Sequence, residues 1–591
     1  MIPDPLEISA LRAAYAEGSL TPEMLIETLY GRIEDYSDKA VFISLVPKEE
    51  AFAAARALRG REHLPLYGIP YVVKDNIDVA DMITTAACPD FAYTATQDAA
   101  AVAKLRDAGA ILLGKTNLDQ FATGLNGTRS PYGAPRSVFN ADYISGGSSS
   151  GSAVAVAAGL AAFALGTDTA GSGRVPAAFN NIVGLKPTIG RISAAGVVPA
   201  CKSLDCVAVF ANSVNDAMTV LHVVEGYDAS DTYSRPARDV ALPAAPRLGV
   251  LAPRDRNFAG DAEAAELYVT ALAKAEELGW PLVEIDYAPF RDIAALLYGG
   301  AFVAERLAAI RTFFEAHADA VHPVVREIIS GAHKFSAADA FSDIYKVQTL
   351  RQAALAELAG CDVLLLPTAP TIFTVAEMLQ QPIARNATLG LYTNFVNLLD
   401  LAAVALPAGF RPDGLPFGVT IIGQAFSDAA LAHYASALHA ALGAGAGIAR
   451  RPVHDNYCAA TAEEVILVVA GAHLSGMPLN PQLVDLGARL VRATKTAADY
   501  RLYALTTTPP KPGLVHEPGF AGSGIAVELW ALMPENFGRF VAALPAPMAI
   551  GRVELADGSV HPGFLCEAYA LKNAADITAF GGWRAYRARS G

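Results

Sequence analysis

The sequence predicts an α/β fold in two domains, on three observations. Strand-like and helix-like signals alternate over most of the chain, the pattern of a mixed β-sheet covered by helices on both faces. The chain has 591 residues, more than one hydrophobic core usually serves, and 53% of them are hydrophobic against 18% charged. One stretch, Gly146 to Pro176, sets a run of small apolar residues between two Gly/Ser-dense turns. Two serine-bearing turns held by one buried segment place hydroxyls beside converging backbone N–H groups.

The elements follow in order. Residues 6 to 60 read as helices, with Thr21 as an N-cap and Pro22 in the first turn. Leu64 to Val73 is a strand-like run ending in Lys74-Asp75-Asn76. Val102 to Gly109 reads as a helix and Ile111 to Gly114 as a short buried strand. The long loop from Thr116 to Tyr143 has a functional length, and its Gly124 to Gly127 segment is expected to border a pocket. Ala153 to Leu165, uncharged and small-sided on every face, reads as a buried helix leading into a buried turn. Further strands are expected at Arg247 to Leu251, Pro281 to Asp286, Val363 to Leu366 and Phe417 to Ile422, with a helix at Ala262 to Leu278.

Arg450 to Thr461 is a short polar break. It divides a domain at 1–450 from one at 463–591, with 451–462 as linker. The second domain opens with the strand Val465 to Val469 and a glycine-rich turn holding His473. Strands at Tyr500 to Leu505 and Ile525 to Leu529 and a helix at Pro534 to Leu544 follow, an α+β pattern.

Composition excludes several function classes. A formal net charge of −14 disfavours nucleic acid and anionic membranes as partners, leaving a small-molecule substrate. Six cysteines without paired spacing suggest neither a disulfide framework nor a zinc site. Met1 to Leu11 lacks the basic and apolar regions of a signal peptide, and Ala153 to Leu165 is too short to span a membrane. The expected location is the cytoplasm.

Amide cleavage needs a nucleophile, a base and a site for the oxyanion. No histidine lies between His63 and His222, so the Gly146 to Pro176 stretch cannot supply a Ser-His-Asp set by itself. Lysine replaces histidine where burial lowers its pKa towards about 7–8, and Lys74, at the end of a buried strand, is placed for that.

Gly146-Gly147-Ser148-Ser149, Gly166-Thr167-Asp168, Gly171-Ser172, Arg174 and Pro176 together resemble the amidase-signature family. Two positions depart from its pattern: Ser150 stands where glycine is usual, and Gly173 where an aliphatic residue is usual. The Thr169 to Arg174 version looks like the allophanate hydrolase branch. The resemblance implies Ser172 as nucleophile, Ser148 as proton relay after a cis peptide, and Lys74 as base. It also implies an oxyanion hole of Thr169, Ala170, Gly171 and Ser172 N–H groups, with Asp168 and Arg174 holding the turns. Ser149 and Ser150 either join that network or are satisfied turn serines. No cofactor or metal is implied.

Gly124, Tyr298 and Arg306 are the substrate contacts the resemblance implies. Ala294 to Ile310 reads as one amphipathic helix, which sets Tyr298 and Arg306 about 80° apart around its axis. From the residues alone, Arg306 reads as an exposed arginine paired with a carboxylate. The implied activity is hydrolysis of allophanate, with a homodimer and a functional link to urea carboxylase. The alternatives are an ammonia-producing subunit of an amidotransferase complex and an amidase for another small amide. The second domain resembles the gamma-glutamyl cyclotransferase-like fold. Its Leu544 to Met548 stretch carries no acid where those enzymes have a catalytic glutamate. His473 there reads either as a turn histidine bonded to backbone or as a catalytic group.

Overall fold

The computed structural model describes residues 2–590 except 241, 454, 460–463, 487 and 533. The chain divides into two compact units, Met1–Val240 with Ala245–Tyr457, and Ala241–Ala244 with Cys458–Gly591. Within the expected 451–462 linker, residues 454 and 460–462 lie outside the described residues, as does residue 463, where the second domain was expected to begin. Residues 455–457 belong to the first unit's packing. Asp455 accepts from His439 Nδ1 at 2.7 Å, and Tyr457 N donates to Ser436 Oγ at 3.0 Å.

The first unit contains an eleven-stranded mixed sheet among the described residues. Across it run Phe42–Leu45, Ile111–Thr116, Pro70–Lys74, Phe163–Asp168, Cys206–Ala211, Val183–Lys186, Leu401–Phe410, Pro416–Gln424, Val363–Pro367, Leu248–Leu251 and Leu282–Ile285. Pro70–Lys74 is parallel to both Ile111–Thr116 and Phe163–Asp168. Every residue of Pro70–Lys74, Phe163–Asp168, Val183–Lys186 and Cys206–Ala211 is buried, the expected state of strands covered on both faces.

Helices cover this sheet. Thr21 caps Pro22–Asp35 as expected, its hydroxyl accepting from Met24 N at 3.2 Å. Three readings of the sequence need correction. Residues 6 to 60 are not all helical, because Phe42–Leu45 is a strand of this sheet. Ala153 to Leu165 is not one helix: the helix is Ser150–Ala157, Gly159 follows at φ +66°, and Phe163 already begins a strand. Ala294 to Ile310 is also not one helix, because Gly300 is extended between Ala288–Gly299 and Val303–His317. By length and composition alone, Ala288–Ala320 is apolar enough to cross a membrane, with a mean hydropathy of 1.6 over its window. Its Phe290, Ile293, Leu297 and Val303 are buried within the unit, as in a core helix.

Among the described residues, the second unit has a five-stranded sheet in the order Arg489–Lys495, Ala526–Leu532, Val465–Val469, Val560–Cys566, Met548–Glu554. A smaller sheet joins Lys511–His516, Tyr500–Leu505 and Ala575–Asp576. Its core includes Leu467, Val469, Leu502, Trp530 and Trp583.

Close packing positions the second serine turn. A Cβ on Gly184 would overlap the carbonyl oxygen of Gly173, so the Val183–Lys186 strand lies directly against that turn. Gly184→Ala is therefore expected to cost about 1–3 kcal/mol through overpacking. Thermal unfolding at a fixed scan rate should show a midpoint several degrees lower; an unchanged midpoint would mean the turn yields freely.

Candidate active site

The parallel register assembles the site. Val73 pairs with Leu165, so Lys74 leaves the sheet at the same edge as Thr167 and Asp168. The Lys74 amine lies 2.7 Å from Ser148 Oγ and 2.7 Å from Thr167 Oγ1. Its side chain has no exposed surface. Burial, the largest influence, lowers its pKa to about 7, with Arg306 adding to the effect, while Asp119, Asp205 and Asp168 oppose it. The Gly147–Ser148 peptide is cis, as the resemblance implies.

Ser172 is 2% exposed, and its hydroxyl donates to the carbonyl of Gly124 at 3.3 Å. The turn carrying it is built around Asp168. That carboxylate accepts from Gly171 N at 3.0 Å, Gly173 N at 2.9 Å, Arg174 Nε at 2.9 Å and Arg174 Nη2 at 3.0 Å. Burial alone would raise the Asp168 pKa, but the Arg174 guanidinium and these bonds outweigh it and hold it below the usual range. Arg174 also reaches Thr393 O and Asn397 Oδ1, and Asn397 returns a bond to Asp168 O at 2.9 Å.

Gly171 departs from its expected part. Its N–H faces Asp168, so it contributes the φ of +137° that bends the turn rather than a free donor. The N–H groups of Thr169, Ala170 and Ser172 have no hydrogen-bond acceptor among the described residues. Thr169 is held by its hydroxyl, which donates to Asp205 Oδ1. Burial pushes Asp205 up to about 6, against the bonds it accepts from Thr169, Cys201 and Ala200. Ser149 and Ser150 are satisfied within the same network, Ser149 Oγ donating to Thr167 O and Ser150 Oγ to Asn117 O.

Tyr298 and Arg306 meet, although on two successive helices. Arg306 is 2% exposed, not the exposed arginine that the residues alone suggested. Its Nη2 donates to Tyr298 OH at 3.0 Å, its Nη1 to Thr123 Oγ1 at 3.1 Å, and the guanidinium lies 4.8 Å from the centre of the Tyr298 ring. Its Nε has no partner, and no carboxylate forms an ion pair with it among the described residues. Thr123 and Gly124 are adjacent, so one short segment links this cation to the Ser172 hydroxyl.

Sequence reasoning missed Thr167, Asp119, Thr123, Asp205 and Asn397 as parts of this site. Thr167 stood inside the quoted Gly-Thr-Asp run, and Asp119 opened the loop already singled out for its length. His473 lies in the second unit, away from these residues in sequence. It is bonded not to backbone through its ring but to Gln482 Oε1, 3.0 Å from Nε2. It stacks on Phe564 in a cavity of about 580 Å³ also lined by Gln482, Lys511, Arg539 and Phe540. Burial lowers its pKa.

A family model described as Amidase matches residues 24–432. The chain belongs to the amidase family. A second, described as the allophanate hydrolase C-terminal domain, matches residues 465–588. Among solved structures resembling this amidase, an allophanate hydrolase from Kluyveromyces lactis is 42% identical, with a TM-score of 0.74 and 98% of each chain covered. Urea amidolyase from Saccharomyces cerevisiae is 44% identical over 92% of this chain, but only 31% of its own length is matched. The chain thus spans about a third of the length of the urea amidolyases it matches. A glutamyl-tRNA(Gln) amidotransferase subunit from Oleidesulfovibrio alaskensis is 34% identical over 73% of this chain and 96% of its own length.

The Asp168–Arg174 pair makes a strong stability prediction. Arg174→Met would strand a fully buried carboxylate, a loss of about 3–5 kcal/mol. The expected outcome is a sharply lower denaturant midpoint or loss of soluble protein. A midpoint equal to the parent's would mean that the backbone N–H groups alone satisfy Asp168.

Proposed function

We propose that this amidase hydrolyses allophanate to ammonia and carbon dioxide through Ser172, Ser148 and Lys74. The observation that carries the substrate is Arg306, a buried guanidinium with no carboxylate of its own among the described residues, one residue away from the carbonyl facing Ser172. A small acyl-urea bearing a carboxylate fits that arrangement. Its carboxylate meets Arg306 and Tyr298 while its carbamoyl carbon reaches Ser172. The near-complete mutual coverage with the Kluyveromyces lactis allophanate hydrolase supports this reading over a role within an amidotransferase, whose matched relative covers 73% of the chain.

The chemistry follows from protonation. The neutral Lys74 amine has a lone pair 2.7 Å from Ser148 Oγ and takes its proton as Ser148 takes that of Ser172. Ser172 Oγ then attacks the carbonyl carbon, and the N–H groups of Thr169, Ala170 and Ser172 receive the oxyanion. The proton returns through the same path to the departing nitrogen, ammonia leaves, and water hydrolyses the acyl-enzyme by the reverse relay. The product is N-carboxycarbamate. We assign its decarboxylation and the second ammonia to the cavity around His473. A supply of allophanate from carboxylated urea, and the homodimer that the resemblance implies, belong to the same reading.

Ser172→Ala should abolish ammonia release while the fold persists. Lys74→Arg should be nearly as damaging as Lys74→Ala, because arginine stays protonated. In the parent, kcat/KM should rise with pH through about 7, since the working form of Lys74 is the deprotonated amine. An active Lys74→Arg enzyme, or a profile flat through that range, would defeat the assignment.

The role of the second unit is tested separately by a chain ending at Tyr457. It should form the acyl-enzyme at the parent rate and release the second ammonia more slowly than the whole chain does. A folded but unacylated protein would show that the chemistry is not separable; identical ammonia time courses would leave His473 without a role.

A further inference from the structure

We propose that Asp119 is a positioning residue of this site, holding the loop that faces Ser148 and Ser172 and supplying negative charge that steadies the Lys74 amine when it carries the proton. The proposal rests on the reading of Lys74 as the base. Asp119 begins the loop after the strand Ile111–Thr116, and its side chain has no exposed surface. It forms no ion pair among the described residues. Its bonds are accepted from backbone alone: Asn126 N at 3.2 Å and Gly127 N at 3.0 Å on Oδ2, and Arg129 N at 3.0 Å on Oδ1. Three donors thus converge on its two oxygens.

The same residue touches both serine turns' surroundings. The N–H of Asp119 donates to Ser148 O at 3.1 Å. A Cβ on Gly124 or on Gly147 would overlap Asp119 Oδ2, so both glycines exist to let this carboxylate in. Gly124 offers the carbonyl to Ser172, and Gly147 precedes Ser148.

Asp119 faces the buried Arg129 guanidinium and His322, with no ion pair to either among the described residues. Asp168 is neutralised by Arg174 at 2.9 Å, and Asp75, next to Lys74 in sequence, by Lys115 at 3.0 Å. Asp205 lies under the influence of Arg306, itself a cation that works against protonating Lys74. The hydroxyls of Ser148 and Thr167 are neutral. A carboxylate buried without a direct ion pair attracts a transient ammonium beside it more strongly in a dry site than in water.

The test uses the whole chain, with kcat/KM for ammonia release from allophanate against pH and enzyme-free blanks. Removing the charge with Asp119→Asn should lower the acid-limb pKa by about one unit and lower the plateau. A merely structural role has the opposite sign, because a loosened loop admits water to Lys74 and raises its pKa. An acid limb that stays put or moves up in Asp119→Asn overturns the proposal. Asp119→Glu keeps the charge and should lower the plateau with the limb at its parental position; a downward shift there also overturns it. If the Asn variant does not fold, the Glu variant decides. Failure of the Lys74 reading is distinguishable, since the parent enzyme would then lack a limb near 7 altogether.

Discussion

The Asp168–Arg174 ion pair is the contact on which the site's geometry depends. Both side chains are wholly buried, so their mutual attraction must outweigh a desolvation penalty of several kcal/mol for each ion. It does so because the carboxylate also collects two backbone N–H groups from its own turn. Those bonds bend residues 168–174, and the neighbouring N–H groups of Thr169, Ala170 and Ser172 are left without an acceptor among the described residues. Asn397, far along the chain, closes the arrangement by bonding both Asp168 O and Leu204 O. The turn is therefore held from its own sequence and from a distant element at once.

Lys74 shows how the fold converts burial into reactivity. Complete burial of a lysine can lower its pKa by up to 3–5 units. Here three carboxylates pull in the other direction, and the balance falls at about 7. Neither influence works without the sheet. The parallel pairing of Pro70–Lys74 with Phe163–Asp168 brings the amine to Thr167 and Ser148, and the small residues of Ser150–Ala157 let the helix pack close enough to exclude water.

Legibility in the sequence followed how local each feature was. Lys74, Ser148 and Ser172 could be read because two short runs and a strand end carry them, and the structure brings Lys74 and Ser148 into contact. The cap at Thr21 was equally local. Ala153 to Leu165 was misread because small apolar residues fit a buried helix and a buried strand alike, and only the left-handed Gly159 separates the two. Asp119, Asp205 and Asn397 act through partners that sequence spacing does not reveal; Asn397 reaches Asp168 across 229 positions. Arg306 was misjudged as exposed for the same reason, since its burial comes from packing between helices and the Thr123 loop.

Arg306 also sets a limit on what the site accepts. Arg306 makes no ion pair among the described residues; a tyrosine hydroxyl, a threonine hydroxyl and an aromatic face hold it, and Asp205 and Glu305 favour its charged form. Its unpartnered Nε leaves a donor open to an arriving anion. A neutral amide gains nothing from it, whereas a substrate with a carboxylate close to its amide carbon gains a charge-assisted contact and has its reactive carbon fixed near Ser172. Selectivity in the proposed reaction is thus built from an interaction that the folded protein leaves incomplete, and the short Thr123–Gly124 segment sets how far apart the anion and the scissile carbonyl of an acceptable substrate must lie.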